Sequence, residues 1–195
     1  MIMDLWTFIA AVCLAFGLSA ACGFRAFLPP LLIGIFSRAE LITLGESWQW
    51  FSSDLAIALL AIAALLEICA YFVPWLDNFL DILATPSAIT AGTILSCASL
   101  DGITPSLQWI LAIIAGVGVT GSIQLSTIVI RGLSTTFTGG IGNPIFTLIE
   151  DVLSILLIIL ASFIPILAVI LAIAIILSMR VIIKRLRRKK RLKDV

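Results

Sequence analysis

Histidine is absent from the 195 residues. Its absence removes Ser-His and Cys-His nucleophile–base pairs, histidine-ligated zinc and imidazole proton shuttles. Charge is scarce: Asp, Glu, Lys and Arg make up 12% of the chain, about half their share in a soluble domain. Cysteine is limited to Cys13, Cys22, Cys69 and Cys97, all within apolar runs and without C-x-x-C spacing. Such cysteines read as small hydrophobes rather than as metal ligands or disulfide partners. No H-E-x-x-H, Walker A or G-x-G-x-x-G signature occurs. An enzyme here would have to work with carboxylates, arginine and hydroxyls alone. The expectation is therefore a protein that is not an enzyme, with no cofactor, metal or nucleic-acid partner.

What is present is hydrocarbon. Hydrophobic residues are 62% of the chain, in runs long enough to cross a bilayer, which takes about 20 apolar residues. The sequence predicts an all-α, polytopic membrane helix bundle. The spans are read at 5–23, 54–73, 82–100, 107–130, 144–161 and 165–182. No basic residue precedes Leu5, so the first run reads as a retained helix and not a secretory signal. Pro29 and Pro30 are expected to end or kink it. Residues 31–36 then form either a half-helix in the membrane or a segment at its surface. Residues 38–52 are a polar connection whose Trp48 and Trp50 suit the interfacial aromatic belt, and Pro74, Trp75 and Asp77 mark another interface. The stretch from Pro144 to Ile183 is too long for one span, and Pro165 divides it. The rival count is five spans, with 144–151 as an interfacial lead-in.

Two short stretches echo each other. Ala70, Phe72, Pro74 and Leu76 match Ala161, Phe163, Pro165 and Leu167 at equal spacing. Arg25 and Arg131 each follow a span. Three spans repeated must be inverted, because three is odd, and a 3+3 inverted repeat is a recurring transporter plan. Small residues at four-residue spacing (Ala84, Ala88, Gly92, Ser96), with Gly116, Gly118 and Gly121 further on, predict close helix approach.

The ionisable residues within the apolar runs are the candidate site. Glu67 stands inside the second span, where a charge costs ~2.5–3.5 kcal/mol on insertion scales. It needs a cavity, a proton or a partner, and Arg25 and Arg131 are the nearest candidates in kind. Those arginines either snorkel to the interface or join a network with Glu67, Glu150 or Asp151. Glu150 and Asp151 are adjacent, about 100° apart on a helix. They suit either a helix start, where the dipole favours acids, or a polar interior. Asn143 before Pro144 reads as an N-cap. Gly139 to Pro144 reads as a turn or as an inserted loop feeding an anion-binding helix start.

The run Gly23-Phe24-Arg25-Ala26-Phe27-Leu28-Pro29 resembles the opening motif of the domain of unknown function 4126 family, small bacterial membrane proteins. Glu67 with Ala70, Pro74 and Asp77, and Pro86 with Ala91-Gly92, resemble its second block; Asn143-Pro144 with Glu150-Asp151 resembles its third. Where that family carries an Asp-Lys pair before the second block's proline, this chain has Tyr71 and Phe72. The resemblance implies a multi-pass architecture and no particular activity.

The reading is a transmembrane domain over residues 1–183 and a basic tail over 184–195. Nine of the twelve basic residues fall in Arg180–Val195, which predicts a cytoplasmic C-terminus. The tail from Arg180 to Lys193 is a candidate anionic-lipid contact, and a bacterial inner membrane is the expected location. The expected function is a small transporter or channel for an ion or small polar solute, with substrate or ion contacts at Arg25, Glu67, Arg131, Asn143, Glu150 and Asp151 and a homodimer as its assembly. The alternative is a membrane scaffold or assembly factor that binds partner helices or anionic lipid.

Overall fold

Each long apolar run is helical in the computed structural model, which describes the backbone of residues 4–70, 74–139 and 142–193, and the side chains of residues 4–70, 83–136, 139 and 142–185. Among these the order is α1 (Leu5–Cys22), α2 (Leu28–Arg38), a 3-10 helix (Glu46–Ser52), α3 (Asp54–Ala70), α4 (Pro74–Ser99), α5 (Pro105–Ile113), a π-helix (Ile114–Thr120), α6 (Gly121–Thr138), α7 (Asn143–Phe163) and α8 (Pro165–Lys193). The interfacial reading of Trp75 and Asp77, the family positions Tyr71 and Phe72, part of the echo before Pro74, Gly140 and Ile141, and the tail side chains beyond Arg185 lie outside the described residues.

α1 is the hub, because α4, α7, α8 and the π-helix all pack on it. Its inner residues are small, and Ala15, Ala20, Ala21 and Cys22 are fully buried. A Cβ at Gly17 would stand 2.9 Å from the Ala161 Cβ and 3.0 Å from that of Ala168, so α1 nests against the α7–α8 hairpin. Pro165 makes that hairpin. It has no N–H to continue α7, and it opens α8 instead. α8 then runs unbroken for 29 residues, about 43 Å.

Pro29 and Pro30 correct one expectation. They begin a helix and do not end one: α2 starts at Leu28 with both prolines in its first turn, where a missing N–H leaves no helical bond unmade. At 11 residues, about 16 Å, α2 is half a bilayer in length. It lies against α3, the 3-10 helix and α7.

α4 and the π-helix meet through glycine. Gly92 faces Thr120, and Gly116 faces Thr93, where an added Cβ at Gly116 would lie 2.7 Å from the Thr93 backbone nitrogen. The predicted small face of α4 is real, with Ala88, Gly92 and Ser96 buried. A Cβ at Gly118 would meet nothing within 4 Å. The close approach lets hydroxyls bridge helices: Ser19 Oγ and Ser96 Oγ lie 2.6 Å apart, and Thr120 Oγ1 donates to the Ser19 carbonyl at 2.6 Å.

Four helices are long and apolar enough to cross a membrane: Leu5–Cys22, Pro105–Thr136, Asn143–Phe163 and Pro165–Arg185. The 3-10 helix and α3, bent by 60°, make a fifth if taken as one span. α4, whose first nine residues have no described side chains, is not in that count. Outward faces carry large apolar side chains such as Leu55, Leu59, Ile62, Ile170 and Ile173, which suits contact with lipid and not water.

Candidate functional site

The site begins where α1 stops. A Cβ at Gly23 would lie 2.7 Å from the Ile123 Cβ, so the chain needs glycine to pass there. The five residues Gly23 to Phe27 then form an open turn before α2. A helix start leaves its first N–H groups without helical partners. Two of those groups do not exist at α2, because Pro29 and Pro30 have none. Glu67 takes the Phe27 amide at the N-cap and the Ala26 amide just before it: Oε1 accepts from Ala26 at 2.9 Å and Oε2 from Phe27 at 3.1 Å. A carboxylate from α3 thus caps α2 across the fold, at the end where the helix dipole favours a negative charge. Glu67 is only 8% exposed. The expectation of a direct arginine partner is corrected: its described hydrogen bonds go to backbone, while Arg25 and Asp151 act on it through space.

Arg25 and Arg131 do not snorkel. They are 0% and 2% exposed, the two largest fully buried side chains described. Arg25 Nε donates to Asp151 Oδ1 at 2.5 Å and its Nη2 to the Thr147 carbonyl at 3.4 Å. Arg131 Nε lies 3.6 Å from Glu150 Oε1. Adjacent acids on one helix point to different sides, so each serves a different arginine. Glu150 and Asp151 lie at the eighth and ninth positions of α7, counted from Asn143. That is past the first turn, where the dipole acts, so the helix-start account does not apply to them. Asn143 is likewise not the N-cap. Gly142 holds that position, and Asn143 Nδ2 donates to Thr135 Oγ1 at 3.0 Å, tying α7 to α6.

The Arg131–Glu150 pair sits on two buried polar stripes. From the end of the π-helix along α6 one runs Thr120, Gln124, Thr127, Arg131, Ser134; on α7 the other runs Asn143, Thr147, Glu150, Ser154. Steps of three and four place each set on one helix face. Ser154 Oγ reaches the Ala21 carbonyl at 3.2 Å. Inside a membrane bundle such polar residues normally face the interior or a water-filled path. Reading the sequence for charges alone passes over Thr120, Thr127, Ser134, Thr147 and Ser154. Their helical spacing was the signal that could have found them.

Cavities among the described residues flank this core. Glu67 forms part of the wall of one of about 370 Å³. A second, of about 410 Å³, shares Ala26, Phe27 and Ser87 with it. A third, of about 330 Å³, lies at the opposite end of α1, among Thr7, Thr43, Asp101 and Ser162. No group of three or more His, Cys, Asp or Glu among the described residues could hold a metal ion.

Apolar helices of membrane length, enclosing ion pairs that are hidden from the outside, define an integral membrane protein. Residues 12–185 match the family described as Domain of unknown function (DUF4126), and the chain belongs to that family. No curated protein and no solved structure matches the chain.

Proposed function

We propose that this protein is a small transporter or channel for an ion or small polar solute. The observation that carries the reading is the presence of two ion pairs among apolar helices: Arg131–Glu150, buried on facing polar stripes, and Arg25–Asp151 beside them, with the arginine fully buried. Charges in that setting are costly to insert, and where they occur they mark ion or substrate paths. The cavity near Asp101 and Ser162 supplies a recess at one end of the bundle. The hydroxyls of Ser19, Ser96 and Thr120 add a buried hydrogen-bonded cluster where α1, α4 and the π-helix meet. The scaffold reading has less support, because the glycine faces it would use at Gly92 and Gly116 are occupied inside the chain.

The same proposal takes α4 as a span. That makes six, arranged as three plus three with both chain ends cytoplasmic, the basic tail against anionic lipid of a bacterial inner membrane, and a homodimer as the working unit. Cysteine labelling at Met1 and Val195 in a cysteine-free background tests the topology, and ends on opposite sides would overturn it. Function is tested by flux of alkali cations, halides and small polar solutes into proteoliposomes holding the full chain. The expected result is flux above protein-free vesicles that falls at least tenfold in Arg131→Met. Equal flux in that variant, once shown to be folded, would sink the reading.

A further inference from the structure

The cavities beside Glu67 and Phe27 form one cleft between α3 and α4, since Ala26, Phe27 and Ser87 belong to both. Each compartment is within the range of small-molecule sites. The walls are almost wholly apolar. Among the described residues two hydroxyls reach the cleft, and both protons are already given to their own helix: Ser87 Oγ donates to the Leu83 carbonyl at 2.9 Å and Thr90 Oγ1 to the Pro86 carbonyl at 2.7 Å. Glu67 is then the cleft's charged handle. A carboxylate has about four acceptor positions, and the Ala26 and Phe27 amides occupy two. The nearby positive charge of Arg25 is matched by Asp151 at 2.5 Å. Among the described side chains these three groups sum to −1. At the far end Trp50 stacks on Phe51 with ring centroids 4.1 Å apart, an aromatic wall for an apolar body.

We propose that this cleft binds a protonated amine carrying an apolar body, the ammonium at Glu67 and the body toward Phe27 and Trp50. A neutral molecule of the same shape would leave the carboxylate without its countercharge, and an anion would be repelled by it. The proposal deepens the transport reading by naming a substrate class, and it rests on that reading. Binding is nevertheless measured without flux.

The test is calorimetric titration of the purified full chain in neutral detergent at pH 7 with 4-phenylbutylamine, 4-phenylbutanol and 4-phenylbutyrate. The expected result is saturable amine binding, with the alcohol and the carboxylate at least tenfold weaker. Glu67→Gln should weaken the amine at least tenfold and leave the alcohol unchanged. Ala84→Phe, which fills the cleft while leaving the α2 cap intact, should do the same to the amine even if Glu67→Gln does not fold. Absence of saturable amine binding, an alcohol as tight as the amine, or an unaffected Ala84→Phe would each overturn the proposal. Flux that persists without amine binding would sink this inference and leave transport standing. Amine binding without flux would do the reverse.

Discussion

Replacing Glu67 by glutamine tests the cap. The side chain keeps its shape but has one acceptor oxygen where the carboxylate has two. Ala26 and Phe27 each donate to a different oxygen, at 2.9 and 3.1 Å. One amide therefore meets an NH2 group and loses its partner, and the other bond becomes neutral. A hydrogen bond to a charged group contributes about 1.5–3 kcal/mol and a neutral one about 0.5–1.5. The expected loss is about 2–4 kcal/mol for Glu67→Gln, and more for Glu67→Ala, which orphans both amides. For a chain of this size that corresponds to a fall in Tm of roughly 5–15 °C, measured in one fixed detergent. Hydrogen exchange should locate the damage, with the Ala26 and Phe27 amides losing protection first. A glutamine variant as stable as the parent, or an alanine variant no worse than glutamine, would refute the account of Glu67 as the cap of α2.

Asp151→Asn removes the charged acceptor of the Arg25 Nε hydrogen bond and should cost about 1.5–3 kcal/mol; the double variant Arg25→Met/Asp151→Leu should recover part of that loss, and a purely additive double variant would mean the pair does not interact. Gly116→Ala should destabilise by about 1–3 kcal/mol through overpacking against Thr93, while Gly118→Ala, facing open space, should leave the melting temperature within a few degrees; the reverse order would contradict the α4–π-helix contact.

Helix positions were legible because apolar runs, Pro165 and the interhelical polar stretches are local signals. The small-residue face of α4 was legible for the same reason, since a spacing of four is visible without knowing what packs on it. The partners were not. Glu67 reads as a charge in search of a counter-charge, but Pro29 and Pro30, which look like breakers, open α2, and Glu67 binds the Ala26 and Phe27 amides at that opening. That relation spans 41 residues between Ala26 and Glu67 and exists only once α3 lies against α2. Asn143-Pro144 has the form of a cap, yet the helix begins one residue earlier than that pattern implies, and Asn143 turns sideways to Thr135. Glu150 and Asp151 could be placed on different sides by helical geometry alone. Which arginine each meets depends on how α7 sits between α1 and α6.

The π-helix at Ile114–Thr120 makes residue count a variable in this molecule. A π turn is an α turn holding a surplus residue, and each residue advances a helix by about 100°. The π turn takes up that surplus within itself, so the stripe from Thr120 to Ser134 keeps the bearing that an α-helix one residue shorter would give it. Removing Gly118, where an added Cβ would meet nothing within 4 Å, would allow an ordinary α-helix and leave Arg131 on the bearing that meets Glu150. The same deletion between Gln124 and Arg131, in a stretch with no surplus to give up, would swing Arg131 by about 100° and misalign the pair.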